Sequence, residues 1–267
     1  MKIRKYKFLV IFLLLGGLSL CLNFSFAKIE VDTDKDGLSD YEEQVVYKTD
    51  KTKIDTDGDG YRDGEEIYNG YSPNKTNREV LEKLVMAVPY VPEAPDGNWT
   101  GPWKNACEES SIAMVEYYYT SKRIYNKYDA KKFMNNLFVK QNIKYGSNAD
   151  ADAIRTNYMI NNFTSFYGKI VDNPTIEQIK VELQQKRPVI SLHYGFDLKN
   201  KNIPFLRTGS SYHMMVIIGY DDKAQEFIVN DPGDIPTGHN HRYGYKLFMN
   251  TLHAFVFTTG KAKGTPR

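Results

Sequence analysis

The sequence predicts an α+β domain built on a mostly antiparallel sheet and preceded by a small calcium-loop repeat segment. Three observations carry this. Helical patterns cluster in the first part of the larger region and apolar strand patterns in the last part, an order that suits α+β rather than alternating β-α-β units. Two strand candidates are joined by a short polar connection of hairpin type, which pairs them antiparallel. Ahead of both lies a segment so rich in regularly spaced acids that a cation is needed to hold it together.

The chain has 267 residues, 41% hydrophobic and 25% charged, a composition that excludes disordered and fibrous classes. The net charge of +2 hides an uneven distribution. Residues 28–76 hold 14 acids and 7 bases, whereas residues 77–267 hold 24 bases and 19 acids. No Lys/Arg stripe accompanies the second excess, so nucleic acid is not an expected partner.

The N-terminus reads as a signal peptide over residues 1–27. Lys2, Arg4, Lys5 and Lys7 form a basic start, Phe8 to Leu15 an apolar run, and Ser25-Phe26-Ala27 a small-residue cleavage site. The run is short of the ~20 residues a membrane span needs, so secretion to the exterior or cell surface is expected, with no stable span after cleavage. Cleavage removes Cys21 and leaves Cys107 as the only cysteine. A lone thiol in an exported chain is buried and inert, an intermolecular link, or a nucleophile.

Residues 28–76 hold two twelve-position calcium loops. The first places Asp32, Asp34, Asp36 and Asp40 at positions 1, 3, 5 and 9, Gly37 at 6 and Glu43 at 12. The second repeats this with Asp55, Asp57, Asp59, Asp63, Gly60 and Glu66, 23 residues on. Calcium takes six to eight hard oxygens, so alternating acids on a glycine turn suit it. Leu38 and Tyr61 would each lend a backbone carbonyl, and the two terminal glutamates can bind bidentately. About two structural Ca2+ ions are expected. The alternation resembles thrombospondin type 3-like and dockerin-like repeats, with Glu at position 12 closer to the former; such loops resemble metal-stiffened spacers.

In residues 77–267, Arg78 to Ala87 reads as a short connecting helix, and Val88-Pro-Tyr-Val-Pro as extended chain because residues before proline avoid the helical region. Asp96-Gly-Asn-Trp-Thr-Gly-Pro-Trp reads as a loop. Helices are predicted from Glu108 to Tyr119, over 129–138, over 149–160, and over 176–185 behind Thr175 as N-cap. Strands are predicted at Pro188–His193, His213–Tyr220, Glu226–Asp231 and Ala254–Thr258.

Three residues in this frame carry chemistry. Cys107 directly precedes a helix, where free backbone N–H groups favour a thiolate. His213 opens one hairpin strand and Asp231 closes the other. If Gly219 pairs with Gln225, His213 lies directly opposite Asp231, while a shift of one separates them onto opposite faces. Nucleophile, base and orienting carboxylate are the parts of a Cys-His-Asp triad. Each residue also has a plain structural role open to it: a packed thiol, a satisfied polar group at a strand end, and a turn-starting Asp-Pro. His239 and His241 could bind a transition metal, though a polar loop fits them better, and His193 and His253 read as structural.

The stretch Val88-Pro-Tyr-Val-Pro-Glu-Ala-Pro-Asp-Gly-Asn-Trp followed by Ala106-Cys107-Glu108-Glu109-Ser-Ser resembles the opening of bacterial papain-like peptidases related to the bacteriocin-processing (double-glycine) family, family C thirty-nine. Tyr212-His213-Met-Met-Val-Ile-Ile-Gly-Tyr-Asp and Val229-Asn-Asp231-Pro-Gly resemble its His and Asp blocks, and Arg242-Tyr-Gly-Tyr with a short helix resembles the tail of its exported subgroup. The resemblance spans residues 86–258. It implies a papain-like cysteine peptidase fold, with Cys107 as nucleophile, His213 as general base and then acid, Asp231 as orienter, and a thioester intermediate. Where the family commonly carries a Gln that helps bind the oxyanion, this sequence has Glu93, a departure that bears on activity. No Walker-type loop occurs, so coupled export is not expected. The expected function is a secreted calcium-binding cysteine peptidase acting on a peptide or protein substrate. The alternative is an inactive papain-like module on a calcium-stiffened spacer, binding peptides or a cell-wall or surface component.

Overall fold

A computed structural model describes residues 31–76, 79–121, 127–146, 152–200, 212–233 and 237–260. The expected signal peptide and Cys21 lie outside these residues.

The two acidic loops each lead into a helical segment, a wide π turn at Glu42–Tyr47 and helix α1 at Asp63–Asn69. Gly37 and Gly60 sit at φ 107° and 99°, a region that side chains rarely adopt, which is why glycine occupies position 6 of both loops.

The helix expected over Arg78 to Ala87 is absent from the described residues 79–87; the short strand β1 (Lys83–Val85) occupies that stretch. The reason is tertiary. Strand β3 (Val189–His193) pairs along β4 (His213–Asp221) only as far as Ile217. Gly219, Tyr220 and Asp221 would be left with open backbone groups on that edge, and β1 fills the place antiparallel. Leu84 is buried there, and a Cβ on Gly219 would collide with the Leu84 carbonyl.

Helix α2 (Cys107–Thr120), α3 (Lys127–Tyr145) and α4 (Ala153–Phe163) follow. The structure extends α3 past the predicted 129–138 and starts α4 behind Asp152, whose side chain accepts from the Arg155 N–H at 2.8 Å. Strand β2 (Phe166–Val171) had no sequence signal because Gly168 and Lys169 interrupt its apolar pattern on a half-exposed strand. Helix α5 (Ile176–Gln184) begins at Thr175 as expected, and Thr175 and Gln178 cap one another reciprocally.

Strands β3 and β4 are followed by β5 (Glu226–Asn230), β6 (His241–Gly244), helix α6 (Tyr245–Thr251) and β7 (Leu252–Gly260). Among the described residues the sheet runs β2-β7-β3-β4-β5-β6, with β1 also on β4, and every pair is antiparallel. The α+β class with an antiparallel sheet is therefore as expected. Strand β4 lies at the centre of the sheet, with α2 and α5 both packed against it. Residues His213 to Tyr220 are buried without alternation, which explains the unbroken apolar run Met-Met-Val-Ile-Ile.

Candidate active site

Cys107 is the first residue of α2, reached from a tight 3-10 turn at Gly101–Asn105. No side chain of the N-cap residue Ala106 closes the helix. Its backbone N–H instead donates to Glu93 Oε1 at 2.7 Å. The Cys107 thiol is buried and donates to Glu108 Oε2 at 3.3 Å.

The expectation of a depressed thiol pKa at this helix start is overturned. Burial pushes the Cys107 thiol well up, and the Glu108 carboxylate, with Glu93 wherever it is ionised, adds to the rise. The backbone of Met214 opposes them by hydrogen bonding to the sulfur, which places the thiol beside β4 one residue from His213. The helix N-terminus is real, but burial and two acids outweigh it.

His213 and Asp231 are both fully buried and meet at 2.6 Å, Nε2 to Oδ1. The hairpin delivers them together by a different register from the expected one. Asp221 pairs with Glu226 and Tyr220 with Phe227, but past an extra residue, Ile218, the pairing shifts to Ile217 with Val229 and Val216 with Asn230. Extended one step, that register sets Met215 opposite Asp231, with His213 two residues further along β4. The first register continued would have put His213 and Asp231 on opposite faces of the sheet; the bulge restores the phase. They are diagonal neighbours rather than the directly opposed pair that Gly219 with Gln225 would have given.

Three further groups hold Asp231. Tyr243 donates to Oδ2 at 2.7 Å, Gly233 N–H to Oδ1 at 3.1 Å, and Asn200 Nδ2 approaches Oδ2 at 3.5 Å. Burial opposes the Asp231 charge, yet His213, the Tyr243 hydroxyl and His241 hold its pKa below the ordinary value. Burial likewise opposes a charge on His213, but Asp231 above all, with Glu108 and with Glu93 wherever it is ionised, outweighs it and raises its pKa. Sequence reasoning missed Tyr243 and Asn200, because neither lies in a motif that names its partner.

The extended segment Val88–Glu93 is stitched to the same corner. Asn230 Nδ2 donates to Val88 O, Tyr90 hydroxyl to Asp231 O, and Glu93 N–H to Pro232 O. Glu93 thus joins the Asp231 turn through its main chain and the Cys107 helix through its side chain. His193 pairs across from His213 and is buried with Nδ1 3.0 Å from Thr251 Oγ1; burial drives its pKa down to about 3, as befits a structural histidine.

The acidic loops repeat one another bond for bond. Asp32 accepts from Lys35 and Gly37 N–H, and Asp55 from Gly58 and Gly60 N–H. The amides of Leu38 and Tyr61 donate to Asp36 and Asp59, so both residues stand at the expected place in their loops. Asp32, Asp34 and Asp36 converge, as do Asp55, Asp57 and Asp59, and a third group joins Asp36, Glu43 and Asp63 across the two loops. Glu43 and Glu66 are fully buried, and burial with the neighbouring aspartates pushes their pKa up to about 7 and about 8. Buried carboxylate oxygens of Asp34, Asp57, Glu43 and Glu66 have no hydrogen-bond partner. Such oxygens fit a hard dication. At position 9 the two loops differ: Asp63 accepts from Thr56 N–H and hydroxyl and also joins the third acidic group, whereas Asp40 accepts from Thr33 N–H and hydroxyl, pairs with Lys51 and, among the described residues, joins no acidic group. His239 and His241 belong to no metal-ligating group among the described residues.

A cysteine opening a helix beside an antiparallel sheet that carries a His–Asp pair defines the papain-like cysteine peptidase fold. Residues 85–259, more than half of the chain, match the Peptidase_C39 like family, and the chain belongs to it. Residues 32–50 and 55–70 match the bacterial TSP3 repeat. Two solved structures are similar: a crystal structure from Bacillus anthracis assigned as a C39-like peptidase (13% identity, TM-score 0.44, covering 68% of this chain and 100% of that one) and the peptidase domain of Streptococcus ComA, a bifunctional ABC transporter (14%, 0.43, 66% and 99%). No curated protein matches.

Proposed function

We propose that the protein is an exported, calcium-stabilised cysteine peptidase that hydrolyses peptide or related amide bonds through Cys107, His213 and Asp231. The buried His213–Asp231 pair beside the Cys107 helix start carries the reading. Asp231 occupies Nε2, which leaves Nδ1 as the nitrogen to take the thiol proton when the sulfur attacks a carbonyl. His213 then returns that proton to the leaving amine, and water hydrolyses the thioester. Because the resting thiol is held protonated by burial and Glu108, proton transfer accompanies attack rather than preceding it. The acid triplets, Glu43 and Glu66 would hold the calcium ions, which supply structural charge compensation. Among the described residues no helix is long and apolar enough to cross a membrane.

The acid-rich surroundings of Cys107 favour one second reading, an inactive module that binds peptides. Mass spectrometry of the calcium-loaded protein during turnover of fluorescein-labelled casein separates the two. An acyl adduct on Cys107, with turnover lowered by about 10²–10⁴ in His213→Ala, is the expected outcome. Casein that binds but is never cleaved or acylated, with wild type and His213→Ala alike, would establish the binding module instead.

A further inference from the structure

Glu93 is a buried acid that the triad chemistry leaves unused. It is 1% exposed, it lies between the Asp231 turn and the Cys107 helix, and its two carboxyl oxygens are not equivalent. Oε1 is committed as acceptor to the Ala106 N–H at 2.7 Å. Oε2 is buried and has no hydrogen-bond partner. An ionised carboxylate would leave that oxygen as a bare acceptor in a dry site, a costly arrangement. A proton on Oε2 turns it into a donor next to the nucleophile.

We propose that Glu93 works as a carboxylic acid, its Oε2–H and the Cys107 backbone N–H together receiving the oxyanion formed when the thiol attacks an amide carbonyl. The inference rests on the peptidase reading above and names a further catalytic residue for it. In the step itself the S–C bond forms, the carbonyl π pair moves onto oxygen, and the thiol proton passes to His213. The oxyanion is held by donation from Glu93, which keeps its proton. When the intermediate collapses, the C–N bond breaks and His213 protonates the amine.

The charges facing Glu93 come from three elements. His213 on β4 favours its ionised form, whereas Glu108 on α2 and Asp231 after β5 oppose it, and Cys107 stands beside it as a neutral thiol. Burial is the largest influence, and the outcome is a pKa pushed up to about 8. Below that pH the side chain is neutral and donates. Above it the group becomes an anion that repels the oxyanion. Glutamine donates through its amide at either pH.

The test compares wild type, Glu93→Gln and Glu93→Ala as full mature chains with calcium, from pH 6 to 9.5. The probes are turnover of fluorescein-labelled casein and affinity for the peptide aldehyde acetyl-Leu-Leu-norleucinal, whose thiol adduct presents the same oxygen. Alkylation of Cys107 reports folding. Wild-type turnover and aldehyde affinity should fall as pH rises through about 8, Glu93→Gln should hold both up to pH 9, and Glu93→Ala should lose about 10²–10³ in turnover at pH 7. Coincident wild-type and Glu93→Gln profiles above pH 8, with casein still cleaved, would overturn the oxyanion role alone. A wild type that neither cleaves casein nor binds the aldehyde would remove the peptidase reading and this role with it. Should Glu93→Ala not fold, the difference between wild type and Glu93→Gln still decides.

Discussion

Cys107 shares its pocket with two glutamates, and these side chains set its resting state. Glu108 accepts the thiol hydrogen bond at 3.3 Å and raises the thiol pKa through its charge. Replacing it by glutamine removes the charge and weakens the acceptor. The Glu108→Gln variant should therefore react with iodoacetamide at a lower pH than wild type, each unit of displacement giving about tenfold faster labelling at neutral pH. Unchanged labelling across pH 6–9 would show that burial alone governs the thiol. Cys107, His213 and Asp231 could be singled out as candidates from the sequence because each sits at an element boundary. Their electrostatics could not, because the burial of Glu93 and Glu108 is a property of packing. A helix start next to a cysteine predicts a thiolate only while the site stays open to water.

At the scale of elements, the β4–β5 hairpin shows both how much of the fold a sequence displays and what it hides. The apolar run from Met214 to Ile218 and the polar Asp221-Asp-Lys-Ala connection announced two paired strands. The bulge at Ile218 was invisible, because an extra residue inside a uniformly apolar strand leaves no mark on the pattern. Its buried carbonyl accepts from Met86 N–H, so the residue after β1 supports the bulge from the other edge. The same edge explains why 78–87 misled: propensity favoured a helix, while the unpaired end of β4 demanded a strand. Gly219 is the residue that lets the two backbones approach. Gly219→Ala should destabilise the protein by about 1–3 kcal/mol, measured by urea unfolding, whereas Gly244→Ala, with open space around it, should cost far less. Equal losses at the two glycines would count against β1 as a close-packed support.

Across the whole molecule, the loop segment and the peptidase domain share one apolar interior. Leu38 from the first loop and Ile67 from α1 belong to the same buried cluster as Leu81, Leu84 and the β4 residues. Glu42 pairs with Lys186 at 2.9 Å, Leu81 N–H donates to Gly70 O, and Gly64 N–H donates to Asp36 Oδ2 to lock the second loop on the first. The expected metal-stiffened spacer is thus also packed against the domain it precedes. A cation that binds only the folded loops stabilises by mass action, about 2.7 kcal/mol at a hundredfold excess over its Kd. Thermal scans in increasing calcium should thus show one transition that climbs with concentration, monitored in parallel by far-ultraviolet dichroism and by exposure of Cys107. Two separate transitions, only the lower one calcium-dependent, would show the loops melting independently. The shared interior has a consequence for how the protein tolerates change: a substitution at Leu38 or Ile67, remote in sequence from Cys107 and touching no substrate, is felt by the strand that presents His213. The acidic repeats thereby help hold the strand that carries His213, and their loss would register as lowered stability of the whole fold.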